Sequence, residues 1–147
     1  MLEMLVVVIV ILLCVLSVNT LLAKYPDFFY RDKPQGLCEA ALPDKPNWVS
    51  SLVHRSNSHY VSPLPVTPLS DIARCIQRID PQIYVVIHNR RIEGFRRTHY
   101  FGFTDWFCIT DNGHITSSAT FGYSDLGNNR NWVTDLRQQL SDYSCID

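Results

Sequence analysis

The sequence predicts an α+β domain in which one antiparallel sheet of about four to five strands is covered by two helices, behind an N-terminal transmembrane helix. Three observations lead to this fold class. A charge-free apolar run opens the chain, four β-rich segments follow one another in its second half, and a segment with helical spacing of apolar residues stands on either side of them. After the apolar run, the 147-residue chain has room for one ordinary domain.

The N-terminal apolar run is the first element. From Met4 to Val18 the chain carries no charge, and about 20 helical residues are enough to cross the hydrocarbon core of a bilayer. The sequence therefore predicts a transmembrane anchor at residues 1–23. A cleavable signal peptide is the alternative, because Val15 and Ser17 offer small residues at a cleavage site. The absence of Lys and Arg before the apolar run favours the uncleaved anchor.

Residues 24–48 are predicted to form an extended tether, because they are rich in Pro, Asp and aromatic residues and show no clear period. The α+β domain then occupies residues 49–147. Within the tether, Phe28, Phe29 and Tyr30 have two interpretations that the sequence leaves open. They lie at a membrane interface, as aromatic belts do, or they close the core of the domain.

The domain begins with a short strand and a helix. Residues 59–66 (HYVSPLPV) are typical of an edge strand or a polyproline segment, since prolines cannot donate to a central ladder. Thr67 is a plausible N-cap for the following helix, with Pro68 in its first position and Asp80-Pro81 at its end. The apolar residues of this helix recur at helical spacing: Leu69, Ile72, Cys75, Ile76 and Ile79.

The sheet and the last helix come next. Four β-rich segments cover residues 83–90, 92–101, 103–110 and 114–121, and Asn112-Gly113 between the last two favours a tight hairpin turn. A final helix from about residue 129 to residue 142 carries one apolar face, formed by Trp132, Val133, Leu136, Leu140 and Tyr143. The predicted order is therefore β-α-β-β-β-β-α.

The cysteines and the charges near the anchor give opposite indications of topology. Lys24, Arg31 and Lys33 follow the apolar run, and the positive-inside rule would place the domain in the cytoplasm. Cys14 lies within the anchor, which leaves four cysteines that are candidates for two disulfides: Cys38, Cys75, Cys108 and Cys145. Their three pairings stay open, and four buried thiols are the alternative. Because disulfides belong to oxidising compartments, we expect a single-pass membrane protein with an extracytoplasmic or lumenal domain.

Charge and spacing argue against several classes of function. The net charge of −1 provides no positive field for nucleic acid, so no such partner is expected. The five histidines lack metal-ligand spacing and no Cys-x-x-Cys occurs, so neither a metal nor a cofactor is expected. Arg90-Arg91 and Arg96-Arg97 form a basic patch, which we interpret as a solvated face of the sheet, with contact to anionic lipid as the alternative.

The stretch SSATFGYSDLGNNRNWV, residues 117–133, has three interpretations. In the structural one, Gly122 and Gly127 supply unusual backbone angles, while Asn128 or Asn129 caps the helix and Asp125 accepts backbone N–H groups or pairs with Arg130. In the second, the helix start holds an anionic ligand. The candidate ligand-binding residues are Tyr123, Ser124, Asp125, Asn129 and Arg130.

The third interpretation is catalytic. Ser124 would be the nucleophile of a small serine hydrolase, with His99 or His114 as base and Asp105 or Asp125 orienting it. The string Gly-Tyr-Ser-Asp-Leu-Gly does not meet the Gly-x-Ser-x-Gly pattern of the usual exposed elbow, so catalysis is the least favoured of the three.

Four segments carry a resemblance to a known family: PDKPNWVSS (43–51), HYVSPLP (59–65), GFTDWF (102–107) and FGYSDLGNNRNWVTDLRQQL (121–140). Together they resemble the domain-of-unknown-function family 1499 across nearly the whole domain. The resemblance implies a small, often membrane-anchored or exported domain of bacterial envelopes and plastid-containing eukaryotes, without an assigned activity. The chain departs from the family pattern at five positions: Leu42 and Trp48 replace two cysteines, Thr116 and Thr120 replace arginines, and Trp106 replaces an acidic residue.

These observations favour a membrane-anchored, non-enzymatic binding or accessory domain. Its expected partner is the membrane, together with other subunits of a membrane complex or a lipid-like or small anionic ligand. The alternative is the serine hydrolase centred on Ser124.

Overall fold

The computed structural model describes residues 2–24, 30–98 and 102–145. Its elements follow the predicted order of strands and helices behind an N-terminal helix. They are α1 (Leu2–Lys24), β1 (Trp48–Ser50), α2 (Leu69–Ile79), β2 (Tyr84–His88), β3 (Arg91–Arg97), β4 (Thr104–Thr110), β5 (Ile115–Ala119) and α3 (Asn128–Ser141).

Helix α1 contains the apolar run. The side chains of residues 3–18 are exposed, and the hydroxyl of Ser17 donates within the helix to the carbonyl oxygen of Leu13 at 2.7 Å. Among the residues that the structure describes, no helix is long and apolar enough to cross a membrane, so the transmembrane helix predicted at residues 1–23 is not found.

The sheet has five strands in the order β1-β5-β4-β3-β2, and every pair of neighbours is antiparallel. The predicted first strand at residues 59–66 is wrong, because this segment contributes only an isolated bridge between Tyr60 and Ser50. Pro63 and Pro65 lack the N–H groups that a ladder needs. The edge strand is instead β1, which the sequence prediction assigned to the tether and to the start of the domain.

The two helices cover one face of the sheet. Helix α2 begins one residue later than expected: Pro68 occupies the N-cap, and the Thr67 hydroxyl donates to the Pro65 carbonyl at 3.1 Å rather than capping the helix. On α3 the apolar face is buried as predicted, except that Tyr143 lies beyond the helix end with φ 55° and is 67% exposed. The core under the helices includes Ile72, Ile76, Phe107, Ile109, Leu136 and Leu140.

The second face of the sheet is covered by the described part of the predicted tether, residues 30–48. A short 3-10 turn at Leu37–Glu39 places Leu37 in a small core with Trp106 and Cys108. Tyr30 packs edge-on against Phe95, with ring centroids 5.6 Å apart, which agrees with the core-closing alternative for this residue. Phe28 and Phe29 lie outside the described residues.

Two disulfides join the four candidate cysteines, as predicted. Cys38 bonds to Cys108, which fixes the 3-10 turn to β4, and Cys75 bonds to Cys145, which fixes α2 to the segment after α3. The Cα atoms of the two pairs are 5.3 and 4.9 Å apart. Cys14 is a free, exposed thiol on α1.

Candidate ligand-binding site

The chain turns from β5 into α3 through residues 120–127, which we call the corner. Gly122 and Gly127 have φ values of 82° and 80°, the left-handed conformation that the sequence predicts for them. The carboxylate of Asp125 accepts hydrogen bonds from the backbone N–H groups of Gly127 at 3.2 Å and Asn129 at 2.7 Å. Asp125 thus satisfies two N–H groups at the start of α3, where a negative charge is favourable.

Asn129 links the corner to the sheet through the hydrogen bonds of its side chain. Its side chain is fully buried, and its Oδ1 accepts a hydrogen bond from the Ser117 hydroxyl at 2.5 Å. Its Nδ2 donates to Asp125 Oδ2 at 2.7 Å and to the carbonyl oxygen of Asn47 at 3.3 Å. The expectation that Asn129 caps the helix with its side chain is therefore wrong, because that side chain points into the core network.

Arg130 also makes its hydrogen bonds within the fold. Its Nη1 and Nη2 donate to the carbonyl oxygens of Tyr60 and Ser58 at 2.7 and 2.6 Å. Of the five residues predicted to bind a ligand, Asp125, Asn129 and Arg130 thus hold the start of α3, whereas Tyr123 and Ser124 face solvent.

In the described part of the chain, Ser124 and the candidate base His114 are not brought together. The Ser124 hydroxyl accepts a hydrogen bond from the N–H of Leu126 at 3.2 Å. His114 precedes β5 while Ser124 follows it, and His114 Nδ1 lies 3.3 Å from the hydroxyl of Ser51. His99 lies outside the described residues.

Asp105 forms a buried ion pair that the sequence did not predict. Its Oδ2 lies 3.0 Å from Arg96 Nη2 and accepts a hydrogen bond from Asn128 Nδ2 at 3.2 Å. The side chains of Asp105 and Arg96 are 1% and 12% exposed, and the Arg96 guanidinium lies 5.2 Å from the centre of the Trp132 ring. The basic patch read as a solvated face therefore includes one arginine that is buried against α3.

Burial is the largest cause of the pKa shifts of both Asp105 and Arg96. It raises the pKa of Asp105 to about 6, although the charge of Arg96 and the Asn128 hydrogen bond oppose the rise. Burial also lowers the pKa of Arg96, against the attraction of Asp105. An aspartate next to the apolar residues 106–109 was the signal in the sequence, and the β3–β4 register that sets Arg96 opposite Asp105 supplies its partner.

A cleft of about 420 Å³ opens beside the corner, between residues 31–48 and the end of β5. We call it the tether cleft. The described residues that line it combine apolar, cationic and backbone surface: Arg31, Asp32, Pro34, Leu42, Pro43, Lys45, Asn47, Trp48, Ser118, Ala119, Thr120 and Gly122. No local sequence pattern indicates this cleft, because it forms only when the predicted tether folds back onto β5.

Several polar groups in the wall of the tether cleft make hydrogen bonds within the domain. Asn47 Nδ2 donates to the carbonyl oxygens of Ala119 and Gly122 at 3.1 and 3.2 Å. Trp48 Nε1 donates to Pro43 O at 2.8 Å, and the Thr120 hydroxyl donates to Thr104 O at 2.7 Å. The charged residues of the cleft lining are Arg31, Asp32 and Lys45.

On the second face, Cys38, Glu93 and Cys108 place potential metal-ligand atoms within 4.8 Å of one another. Both sulfurs are consumed by the disulfide, and Glu93 pairs with Lys33 and, at 2.7 Å, with Arg91. Burial opposes ionisation of Glu93, but the Lys33 hydrogen bond and the charges of Lys33, Arg91 and His88 outweigh it and lower its pKa. The cluster is a disulfide beside an ion-pair network.

The family described as "Protein of unknown function (DUF1499)" matches residues 40–140 of this chain. The match begins just after the 3-10 turn and ends within α3, so it contains every strand of the sheet. No curated protein and no solved structure gives a significant match.

Proposed function

The chain belongs to the DUF1499 family, and we propose that its domain is a non-enzymatic binding module that holds a lipid-like or small anionic ligand in the tether cleft, next to a membrane. The tether cleft is the observation that carries this proposal. Its volume of about 420 Å³ falls within the range of small-molecule sites, which are concave and mostly apolar with a few charged groups.

The chemistry of the cleft suits an amphiphile with an anionic head. Leu42, Pro43 and Trp48 offer apolar surface, while Arg31 and Lys45 offer two cations against the single carboxylate of Asp32. A guanidinium group binds phosphate or carboxylate oxygens through paired hydrogen bonds, and an ammonium group adds a point charge. We therefore place the ligand here rather than at the helix start.

Membrane attachment is the second part of the proposal, and α1 supports it. Residues 4–18 carry only apolar side chains besides Cys14 and Ser17, and the side chains stand exposed along the helix. The Ser17 hydroxyl finds its acceptor inside the helix, as a hydroxyl in an apolar medium must. Exposed apolar surface of this extent is typical of a segment that contacts lipid or another apolar partner.

The two disulfides support an extracytoplasmic or lumenal domain, since disulfides persist in oxidising compartments. Lys24, Arg31 and Lys33 would favour the cytoplasmic side by the positive-inside rule. Lys33 pairs with the buried Glu93, and this ion pair gives the residue a structural role independent of topology. Because Lys33 has this structural role, we give the disulfides more weight than the positive charges in assigning the compartment.

The proposal is tested by purifying the full chain from native membranes and identifying what remains bound by mass spectrometry. We expect an anionic amphiphile that is retained by the native chain and lost in the double variant Arg31→Gln, Lys45→Gln. The control variant Arg55→Gln, Arg74→Gln removes the same charge from exposed sites away from the tether cleft and should retain the ligand.

Other outcomes would redirect the assignment. Stoichiometric co-purification of a protein, with no small ligand, would make the domain an accessory subunit. Covalent capture by a serine-directed probe, lost in Ser124→Ala, would support the hydrolase instead.

A further inference from the structure

The corner displays large apolar side chains to solvent. Tyr123 is 70% exposed and Leu126 is 93% exposed, while Phe121 is 40% exposed and stacks on Phe103 with ring centroids 4.8 Å apart. Three large apolar residues within a few positions of one another form a patch rather than isolated surface residues, and such patches mark interaction sites.

The backbone at Leu126 is held in a conformation that does not suit leucine. Its φ is 54°, in the left-handed region that residues with a side chain rarely adopt. The Ser124 hydroxyl accepts its N–H, and the carboxylate of Asp125 fixes the residues that follow. Glycine or asparagine would serve this turn with less strain, and an exposed leucine adds nothing to folding. The side chain is therefore best explained by what it contacts outside the domain.

The position of the corner in the domain indicates which outside surface its exposed side chains contact. Arg31 and Gly122 line the same cleft, and the Arg31 carbonyl accepts a hydrogen bond from Trp106 Nε1 at 2.7 Å. Because Arg31 is close in sequence to α1, the corner lies at the end of the domain where the chain arrives from α1. The six steps from Lys24 to Tyr30 cannot exceed about 22 Å. A domain of this size is about 35 Å across, so this end stays close to whatever surface holds α1.

We propose that the corner docks on the surface of the membrane that holds α1, with Tyr123 and Leu126 inserted among the lipid headgroups. The inference rests on the membrane attachment proposed above. Tyrosine favours the membrane interface because its ring is apolar and its hydroxyl is polar. Arg31 and Lys45 at the same end carry charge that anionic headgroups attract, and docking turns the tether cleft toward the lipid.

Val66 supplies a matched control at the other end of the sheet. It is 81% exposed, and it lies two residues after Leu64, whose N–H donates to Gly113 O at 2.9 Å in the turn between β4 and β5. The corner follows β5, whereas this turn precedes it. A probe at Val66 therefore reports on an exposed apolar position that docking would leave in water.

The test uses the full chain in lipid nanodiscs containing phosphatidylglycerol, on a Cys14→Ser background. An environment-sensitive fluorophore is attached through Tyr123→Cys, Leu126→Cys or Val66→Cys, and quenching by spin-labelled lipid is measured. We expect quenching at positions 123 and 126 to be several-fold stronger than at position 66. Adding Leu126→Asp should reduce the quenching of the probe at 123 to the level seen at 66, which shows that the native leucine and not the fluorophore carries the corner into the lipid.

Two results would overturn the proposal, and they are distinguishable. Equal quenching at 123, 126 and 66, in chains that stay with the membrane after alkaline carbonate extraction, would refute docking of the corner and leave the attachment of α1 standing. Release of the chain by carbonate would refute the attachment as well.

Discussion

The buried carboxyl of Asp105 predicts how the stability of the domain depends on pH. Its pKa in the folded protein is about 6, against an ordinary value of 3.8. Between these values the folded state binds more protons than the unfolded state, so the free energy of unfolding falls as pH rises. The contribution is fully present below about pH 4 and is lost as pH rises through about 6. A shift of about two pKa units corresponds to about 3 kcal/mol.

The assay is urea denaturation of the disulfide-intact full chain in mild detergent, followed by tryptophan fluorescence from about pH 4 to about pH 7. Because Glu93 has a lowered pKa and contributes with the opposite sign, the native curve is compared with that of Asp105→Asn. The free energy of unfolding of the native chain minus that of the variant should fall by about 3 kcal/mol across this range.

The Arg96→Gln variant provides a second check on the same group. Removing the cation that lowers the pKa of Asp105 should raise that pKa further, so that the fall in stability continues to higher pH. A difference between the native chain and Asp105→Asn that is flat or rises with pH would show that the folded protein does not raise the pKa of Asp105.

Three further predictions concern stability and use the same denaturation assay. Asn129→Ala removes the hydrogen bonds from its side chain to Asp125, Ser117 and the Asn47 carbonyl and should cost about 2–3 kcal/mol, whereas Asn131→Ala on the exposed side of α3 should stay within about 0.5 kcal/mol; equal effects would contradict the role of Asn129 in linking the corner to the sheet. Replacing Cys75 and Cys145 together by alanine opens a loop of 70 residues and should cost about 4 kcal/mol, so a change under about 1 kcal/mol would argue against this disulfide. Leu126→Gly relieves the left-handed strain and should stabilise the domain by about 1 kcal/mol, and a loss of stability would show that Leu126 serves the fold after all.

Local patterns located most of the fold. Apolar spacing placed α2 and α3 within about two residues of their observed ends, and Asn112-Gly113 marked the β4–β5 turn, where Gly113 has φ 80°. The first strand was misplaced because the three residues of β1 are too few to show a period, whereas residues 59–66 carry the apolar residues and prolines of an edge strand or a polyproline segment.

The site depended on contacts that no local pattern encodes. The Arg96–Asp105 pair follows from the β3–β4 register, which a one-residue shift would destroy. The tether cleft follows from the return of residues 30–48 onto the sheet, fixed by a disulfide whose partners are 70 residues apart. The pairing of the cysteines was open in the sequence for the same reason.

Photo-cross-linking is a direct test of whether the tether cleft holds an anionic amphiphile. The full chain in membranes is irradiated with a photoactivatable anionic phospholipid, and the modified peptides are mapped. We expect labelling within residues 42–48 and 118–122, lost in the double variant Arg31→Gln, Lys45→Gln and kept in Arg55→Gln, Arg74→Gln. Labelling that is absent from these segments, or unchanged in the Arg31 and Lys45 variant, would contradict the assignment.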